Sequence, residues 1–182
     1  MINDTEMVIY DEDKVNKILR ERAKKLAIEP EQDVAIGDML EMVEFHLSGE
    51  RYAFSSRYIR EVFPVKKLTT IPCTPPFVAG LTNLRGEMVS VIDLKYFFDL
   101  PPLELTSNTR IILLQNQDMS FGILADEVIG VYNIPTHHIQ TILPTLSGIR
   151  AKYLHGVTED RLAILEATAI LNDPEIIVNE MV

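Results

Sequence analysis

The side chains that could take part in acid–base or metal chemistry are few and widely spaced in this chain. Asp93, Asp126 and Glu166 each follow an apolar run, and paired carboxylates could do acid–base work if the fold made them converge. His137 and His138 are adjacent, so they would point to opposite faces of a strand or diverge by about 100° on a helix. The pattern therefore favours turn and strand-end roles for the carboxylates, and a solvated loop for the histidines.

The single cysteine, Cys73, stands in the segment IPCTPP, which offers no neighbouring base to activate a thiol. We therefore expect a half-buried structural thiol. The chain has no P-loop and lacks the patterns G-x-G-x-x-G, G-x-S-x-G and H-E-x-x-H. The sequence predicts no catalytic residue, no metal site and no cofactor. An enzyme whose site combines Arg85, Asp93, His155 and Glu166 stays open as a hypothesis.

The composition predicts a folded protein of the cytoplasm. The 182 residues are 47% hydrophobic and 24% charged, which is ordinary for globular proteins. A formal net charge of -10 argues against binding to nucleic acid or to an anionic membrane surface, because both need clustered Lys and Arg. One cysteine permits no internal disulfide, and the first residues lack the pattern of a signal peptide. No run approaches the roughly 18 apolar residues of a membrane span, so we expect no direct membrane insertion.

The first 38 residues predict a helix followed by a linker. Between Asp11 and Ala27, apolar residues recur at intervals of three and four with Lys, Arg and Glu between them, which is typical of an amphipathic helix. The acidic stretch 29–38 has the composition of a linker. We predict a boundary here, between an N-terminal unit at 1–38 and a domain at 39–182.

After the linker the pattern changes to a period of two, which predicts β-strands. Val43, Phe45 and Leu47 alternate with polar residues, and Gly49-Glu50 predicts the turn of a hairpin. Short strands separated by Pro, Gly and Asn favour an all-β fold with minor helices. The other predicted strands are Val62–Val65, Glu87–Leu94, Arg110–Leu114, Ser120–Ala125, Gly130–Ile134 and Arg161–Glu166.

A weak internal repeat indicates two similar modules. The hairpin at 45–54 matches 112–121 in its apolar, turn and aromatic positions, and a Glu-Val pair follows each hairpin. The tripeptides at 84–86 and 154–156 each precede a further predicted strand. Because modules of about 60 to 70 residues are marginal alone, we expect the two to share a core.

The segment 74–94 resembles the CheW-like family of chemotaxis coupling proteins; it reads TPPFVAGLTNLRGEMVSVIDL. A proline-rich turn, a Phe-x-x-Gly entry, an Asn-Leu-Arg-Gly corner and a strand ending in Ile-Asp-Leu occur in the family's order and spacing. The likeness covers about Met42 to Leu171. It implies two packed five-stranded SH3-like β-barrel modules, roughly 48–107 and 108–172, with the first strand able to pair into the second barrel.

The resemblance also implies a function. Family members are non-catalytic adaptors that join the cytoplasmic tips of methyl-accepting chemoreceptors to the regulatory domain of a CheA-type histidine kinase. This chain would then act at receptor arrays beneath the inner membrane, which it would reach through its partners. Two other functions stay open, a general protein-binding β-module with a non-chemosensory partner and the enzyme considered above. Binding to a CheA-type kinase tests the first alternative, and pH-dependent turnover tests the second.

Partner-binding residues are implied on the first module. Arg85 matches the family's corner arginine, and its guanidinium could donate hydrogen bonds to a partner or clamp backbone carbonyls across the two modules. Ile59, Glu61 and Val62 match positions linked to receptor or kinase contact. In a regular strand, Ile59 and Glu61 would share one face and Val62 would lie on the other.

Three small residues are expected to shape the corner around Arg85. Gly80 and Gly86 each end a loop where a positive φ or a close approach would exclude a side chain. Asn83 is expected to cap the corner through its side-chain amide, as asparagine does in turns. These residues complete the predicted partner-binding set.

Overall fold

The computed structural model describes residues 39–141 and 152–176, and β-strands carry the fold of this part of the chain. The predicted helix Asp11–Ala27 and its linker lie outside the described residues. The strands are β1 (Met39–Leu47), β2 (Glu50–Ser55), β3 (Ile59–Pro64), β4 (Val78–Leu84), β5 (Glu87–Ile92), β6 (Arg110–Gln115), β7 (Ser120–Ala125), β8 (Glu127–Pro135), β9 (Ile139–Thr141), β10 (Leu154–Thr158) and β11 (Ala163–Leu165). A short α-helix, α1, spans Ala167–Leu171, and 3-10 turns lie at Ser56–Tyr58, Leu94–Tyr96 and Thr136–His138.

The strands form two sheets, which confirms a mostly β fold with few helices. The six-stranded sheet has the order β8-β1-β2-β11-β10-β9, and the five-stranded sheet has the order β3-β6-β7-β5-β4. Within the described residues no helix is long and apolar enough to cross a membrane. Strands from both sides of the predicted module boundary at 107/108 share each sheet, and the domain division itself stays a prediction.

The two sheets repeat one topology. In each, an edge strand (β8 or β3) pairs with a hairpin (β1–β2 or β6–β7), and the second hairpin strand runs parallel to β11 or β5. Those strands pair in turn with β10 and β4. The repeat seen in the sequence is therefore present in the strand order, with each hairpin bound into the sheet of the other half of the chain.

One part of the predicted repeat is wrong. The tripeptide 84–86 ends β4 and makes the β4–β5 turn, whereas 154–156 lies inside β10. The topological counterpart of the β4–β5 turn is the loop at 159–162, between β10 and β11. The strands β4, β9 and β10 were also missed, because their polar and glycine residues interrupt the apolar alternation.

Apolar side chains of both sheets meet in one core. Phe45 and Phe54 of the β1–β2 hairpin stack with ring centroids 5.2 Å apart, and they join Ile112, Leu114 and Ile123 of the β6–β7 hairpin in one buried cluster. The opposite faces of these hairpins are buried too, since each sheet has a smaller cluster of its own. Both hairpins are thus covered on both sides.

Burial on both faces explains a failure of the alternation pattern in β1. Glu44 was predicted on a polar face, but only 6% of it is exposed. Its Oε1 accepts a 2.7 Å hydrogen bond from Arg51 Nε, and Arg51 Nη1 donates to Asp160 Oδ2 at 2.9 Å. A buried carboxylate needs such partners, and here a guanidinium supplies them. The predicted β1–β2 turn is also one residue late, because Ser48 and Gly49 make it and Glu50 pairs with Leu47.

Candidate partner-binding site

The corner between β4 and β5 is a two-residue turn that presents Arg85. Arg85 and Gly86 both have positive φ, 52° and 93°, and Leu84 pairs with Glu87 on either side. Positive φ at both central positions is the geometry of the tight turns that match the twist of a hairpin. Asn83 Oδ1 accepts a 3.0 Å hydrogen bond from Gly86 N, which confirms the predicted side-chain cap. The corner is therefore held by its turn geometry and by the Asn83 side chain.

The Arg85 side chain projects into solvent from this corner and is 79% exposed. Its Nη2 donates to Oε1 of Glu61 at 2.7 Å, so its partner is a carboxylate on β3 and not a backbone carbonyl of the other module. A second ion pair joins Arg60 of β3 to Glu87 of β5 at 3.0 Å. The two pairs tie the corner to β3, although β3 and β4 stand at opposite ends of the sheet order.

Arg85 can exchange its ion pair with Glu61 for a contact with a partner at a small cost in stability. Exposed pairs of this kind contribute about 0 to 1 kcal/mol each, because water screens both charges. Exchanging Glu61 for a partner's acceptor would therefore cost the protein little stability.

A β-bulge in β3 changes which predicted residues share a face. Ile59 pairs with Leu114, and Glu61 pairs with the next residue, Leu113, so Arg60 has no place in the register. Val62 then lies opposite Ile112. Because Leu114 and Ile112 share one face of β6, Ile59 and Val62 share that face too, and Glu61 lies on the other. The sequence placed Ile59 and Glu61 on one face only for a regular strand, and the bulge means that this condition is not met.

The face that carries Ile59 and Val62 is only partly covered. Ile59 packs against the shared core, whereas 37% of Val62 is exposed. At the start of β5, next to the turn, Met88 is exposed as well and accepts a weak contact from Asn83 Nδ2 at 3.7 Å. Met88 therefore adds an exposed apolar side chain next to the Arg85 turn, whereas Val62 lies on the face of β3 opposite Glu61, the residue that Arg85 contacts.

Gly80 shapes the approach to this corner. Its φ is +142°, and a Cβ at this position would lie 2.4 Å from the carbonyl oxygen of Thr69. Thr69 and Leu81 exchange two backbone hydrogen bonds of 2.8 Å, which hold the segment before β4 against that strand. Both reasons that the sequence analysis gave for a glycine, a positive φ and a close approach, are present at Gly80. Gly80 nevertheless lies within β4 and does not end a loop. Gly86 needs glycine for its φ alone.

We predict that Gly80→Ala lowers the free energy of unfolding by about 1 to 3 kcal/mol, because both the backbone conformation and the Thr69 contact oppose a side chain. Urea unfolding measures the loss. Gly86→Ala is the matched control, since its Cβ would meet nothing within 4 Å and only the φ strain remains. Equal losses in the two variants would show that the Thr69 contact is unimportant.

A buried charged cluster links the two sheets, and the sequence did not reveal it. Lys95 is 2% exposed, and its Nζ lies 2.6 Å from Asp126 Oδ1 and 3.8 Å from Asp93 Oδ2. Asp126 Oδ2 also accepts a 2.6 Å hydrogen bond from Ser48 N in the β1–β2 turn. Burial raises the pKa of the Asp93 carboxyl above its ordinary value of 3.8, and the nearby lysine only partly offsets this. Asp93 and Asp126, two of the three carboxylates that the sequence analysis considered for acid–base work, thus converge on the ammonium group of Lys95.

The residues of the hypothetical enzyme site lie in separate groups. His155 Nδ1 is 3.3 Å from Glu166 Oε2, and Glu166 caps the start of α1 by accepting from Thr168 N. Asp93 belongs to the Lys95 cluster, and Arg85 pairs with Glu61. The printed contacts of these four residues, all within the described part of the chain, therefore do not join them into one site.

The histidine and cysteine predictions have different outcomes. His137 and His138 are exposed in a 3-10 turn after β8, as expected for solvated histidines. Residues 39–141 and 152–176 hold no group of three or more His, Cys, Asp or Glu side chains that could bind a metal ion. Cys73 is exposed and has a φ of 64°, so the expectation of a half-buried thiol is wrong. Its flanking prolines hold the segment in a turn at the surface.

The fold and its polar features define a mainly β protein with two sheets of equal topology around one core. Residues 41–175 match the family model of the CheW-like domain. The chemotaxis protein CheW of Treponema pallidum is 28% identical over 151 residues, which are 81% of this chain and 85% of that protein. The Bacillus subtilis chemotaxis protein CheW is 33% identical over 100 residues, 55% of this chain and 64% of that protein.

A solved structure has a similar fold. The crystal structure of the scaffolding protein TtCheW from Thermoanaerobacter tengcongensis superposes with a TM-score of 0.63 at 28% identity, covering 70% of this chain and 88% of that one. The chain belongs to the CheW-like family of chemotaxis coupling proteins.

Proposed function

We propose that this chain is a non-catalytic coupling protein that scaffolds a CheA-type histidine kinase to methyl-accepting chemoreceptors. The kinase would bind through its regulatory domain, and the receptors through their cytoplasmic tips. The observation that carries the proposal is the Arg85 corner, which the family motif predicts and which presents an exposed guanidinium on a tight turn, paired with Glu61 of β3. An adaptor of this kind works by holding two partners at once, which raises the effective concentration of each near the other.

Three further parts of the proposal follow from the family. We infer that the two sheets form the family's pair of SH3-like barrels, at roughly 48–107 and 108–172 with exchanged hairpins. Residues 1–38 would form a helix and linker outside that domain. The protein would act in the cytoplasm, at receptor arrays beneath the inner membrane, through its partners alone.

The predicted residues take separate roles in this proposal. Arg85 donates to an acceptor of the partner, and Ile59 and Val62 supply apolar contact from one face of β3. Glu61 holds the Arg85 side chain before binding, as the 2.7 Å pair indicates. Asn83, Gly80 and Gly86 set the backbone of the corner.

The proposal is tested by titration calorimetry with the regulatory domain of the CheA-type kinase from the same organism. We expect the wild type to bind with a micromolar or lower Kd, and Arg85→Ala to bind about tenfold or more weakly. The melting temperature should stay unchanged, because a surface arginine contributes little to stability.

Arg161→Ala is the matched control for Arg85→Ala. Arg161 is also an exposed arginine with positive φ, 65°, and lies in the topologically equivalent turn of the other sheet. It should leave kinase binding unchanged. A lowered melting temperature of Arg85→Ala with intact binding would assign Arg85 a structural role instead. An absence of binding by the wild type would favour a β-module with a non-chemosensory partner.

A further inference from the structure

The six-stranded sheet has a counterpart of the Arg85 corner that is open. Edge strand β8 corresponds to β3, and the β10–β11 loop corresponds to the β4–β5 turn. In the five-stranded sheet, two ion pairs join β3 to Arg85 of the turn and to Glu87 at the start of β5. In the six-stranded sheet, a cleft of about 660 Å³ lies between β8 and the β10–β11 loop. We call this space the β8 cleft; its volume is within the range of binding pockets.

The β8 cleft has apolar walls. Ile129, Tyr132 and Ile134 of β8 line one side, and Leu162 of the β10–β11 loop lines the other. Tyr132 is 47% exposed and Ile129 is 40% exposed, which is high for two large apolar side chains on one strand. These side chains would lose water on contact with an apolar partner, and that contact would be favourable.

The charges of the β8 cleft are mainly negative. Glu44, Glu159 and Asp160 line it together with one guanidinium, that of Arg51, which leaves a formal charge of -2 when His138 is counted as neutral. Arg51 is already engaged by Glu44 and Asp160. Arg161 of the same loop is exposed but is not among the residues that line the cleft. The excess of carboxylates in the lining therefore favours a basic partner over an acidic one.

The backbone of β8 is also available for pairing. β8 is nine residues long and stands at the end of the six-stranded order, with β1 on one side. No strand of the described residues is paired with its other side. An unpaired edge of this length presents free N–H and C=O groups, to which an extended segment of another protein can add.

We propose that the β8 cleft binds an extended segment of a partner protein in which apolar side chains alternate with Lys or Arg, and that the segment adds as a further strand to the free edge of β8. Its apolar side chains pack on Tyr132 and Leu162. Its basic side chains, on the opposite face of the strand, reach Glu159 and the rim of the cleft. The β8 cleft lies on the sheet that does not carry Arg85, so the two surfaces can be occupied together.

Three synthetic peptides of nine residues, the length of β8, test the proposal on the full chain. The first alternates Val and Lys, the second holds the same residues in two blocks, and the third alternates Val and Glu. We expect titration calorimetry to show binding of the alternating Val/Lys peptide and binding about tenfold weaker or absent for the other two. Backbone amide signals of β8 should shift in ¹⁵N spectra on adding the first peptide.

Two substitutions locate the bound peptide. Ile129→Lys should weaken binding of the Val/Lys peptide about tenfold, because it places a like charge in the cleft. Glu159→Gln should weaken it about threefold by removing a rim carboxylate. Leu103→Lys is the control, because it makes the same change at an exposed leucine that does not line the cleft and should leave the affinity unchanged.

Three results would overturn the proposal. Equal binding of the alternating and block peptides would show a non-specific charge effect. Amide shifts confined to the Arg85 corner, or an unchanged affinity of Ile129→Lys, would place the peptide elsewhere. Self-association of the wild type that Ile129→Lys abolishes would mean that a second copy of the chain occupies the cleft.

Discussion

Replacing Lys95 with alanine is expected to lower the free energy of unfolding by about 3 to 5 kcal/mol, the usual result of removing one partner from a buried ion pair. Lys95 is almost fully buried, and its ammonium group lies between Asp126 and Asp93. Without it, two carboxylates face each other where little water reaches them. Urea unfolding at pH 7 measures the loss, and Lys66→Ala at an exposed lysine is the control.

The pH dependence of the stability lost in Lys95→Ala distinguishes the electrostatic contribution of Lys95 from its packing contribution. The pKa of Asp93 is raised by burial, so its ionisation disfavours the folded state at pH values above that raised pKa. This penalty falls as the pH drops through the raised pKa, and it is gone below the ordinary value of 3.8. In Lys95→Ala the penalty is larger, so the difference from wild type should shrink as the solution is acidified. A difference that is equal at both ends of the range would assign it to lost contacts of the lysine methylenes.

A second variant tests whether the cluster acts as a unit. Asp126→Asn in the Lys95→Ala background should recover part of the lost stability, because it removes one of two facing charges. Asp126→Asn alone should be destabilising, since Lys95 then keeps only Asp93 at 3.8 Å. A double-mutant cycle in which the two losses simply add would show that the groups do not interact.

The elements that the sequence predicted are those whose signal is local. The β1–β2 and β6–β7 hairpins follow from alternation and a turn within about ten residues, and both are present. The parallel pairing of β2 with β11 joins residues more than a hundred positions apart, and a period of two says which residues share a face but not which strands are neighbours. The exchange of hairpins between the sheets was beyond such reasoning.

In the candidate site, too, the sequence predicted the local features and missed those that depend on distant residues. The Asn83 cap and the positive φ of Gly86 depend on four consecutive residues, and the corner motif predicted both. The Arg85–Glu61 pair depends on a bulge in β3 and on the approach of two edge strands, and neither has a local signal. Lys95 was passed over because its carboxylate partner Asp126 is 31 positions away.

Reversing the charge of Arg85 is expected to weaken binding of the kinase regulatory domain more than about a hundredfold, or about 2.7 kcal/mol, if Arg85 contacts the partner as proposed. Arg85→Glu replaces a donor with a carboxylate and also places it beside Glu61. The fold should remain, with a loss of stability below about 1 kcal/mol, because both groups reach solvent. Calorimetric titration and a thermal melt give the two quantities on the same sample.

The charge-swapped double variant, Arg85→Glu with Glu61→Arg, then decides what Arg85 does. It restores an ion pair across the 2.7 Å contact, with the two charges exchanged. If Arg85 only holds β3 to the corner, the double variant should recover kinase binding together with the melting temperature. If Arg85 itself donates to the partner, the melting temperature should recover while binding stays weak, because the guanidinium now starts from β3. The swap of Arg60 with Glu87, the neighbouring pair at the same corner, should change neither quantity by much, since that pair ties the corner without being the proposed contact.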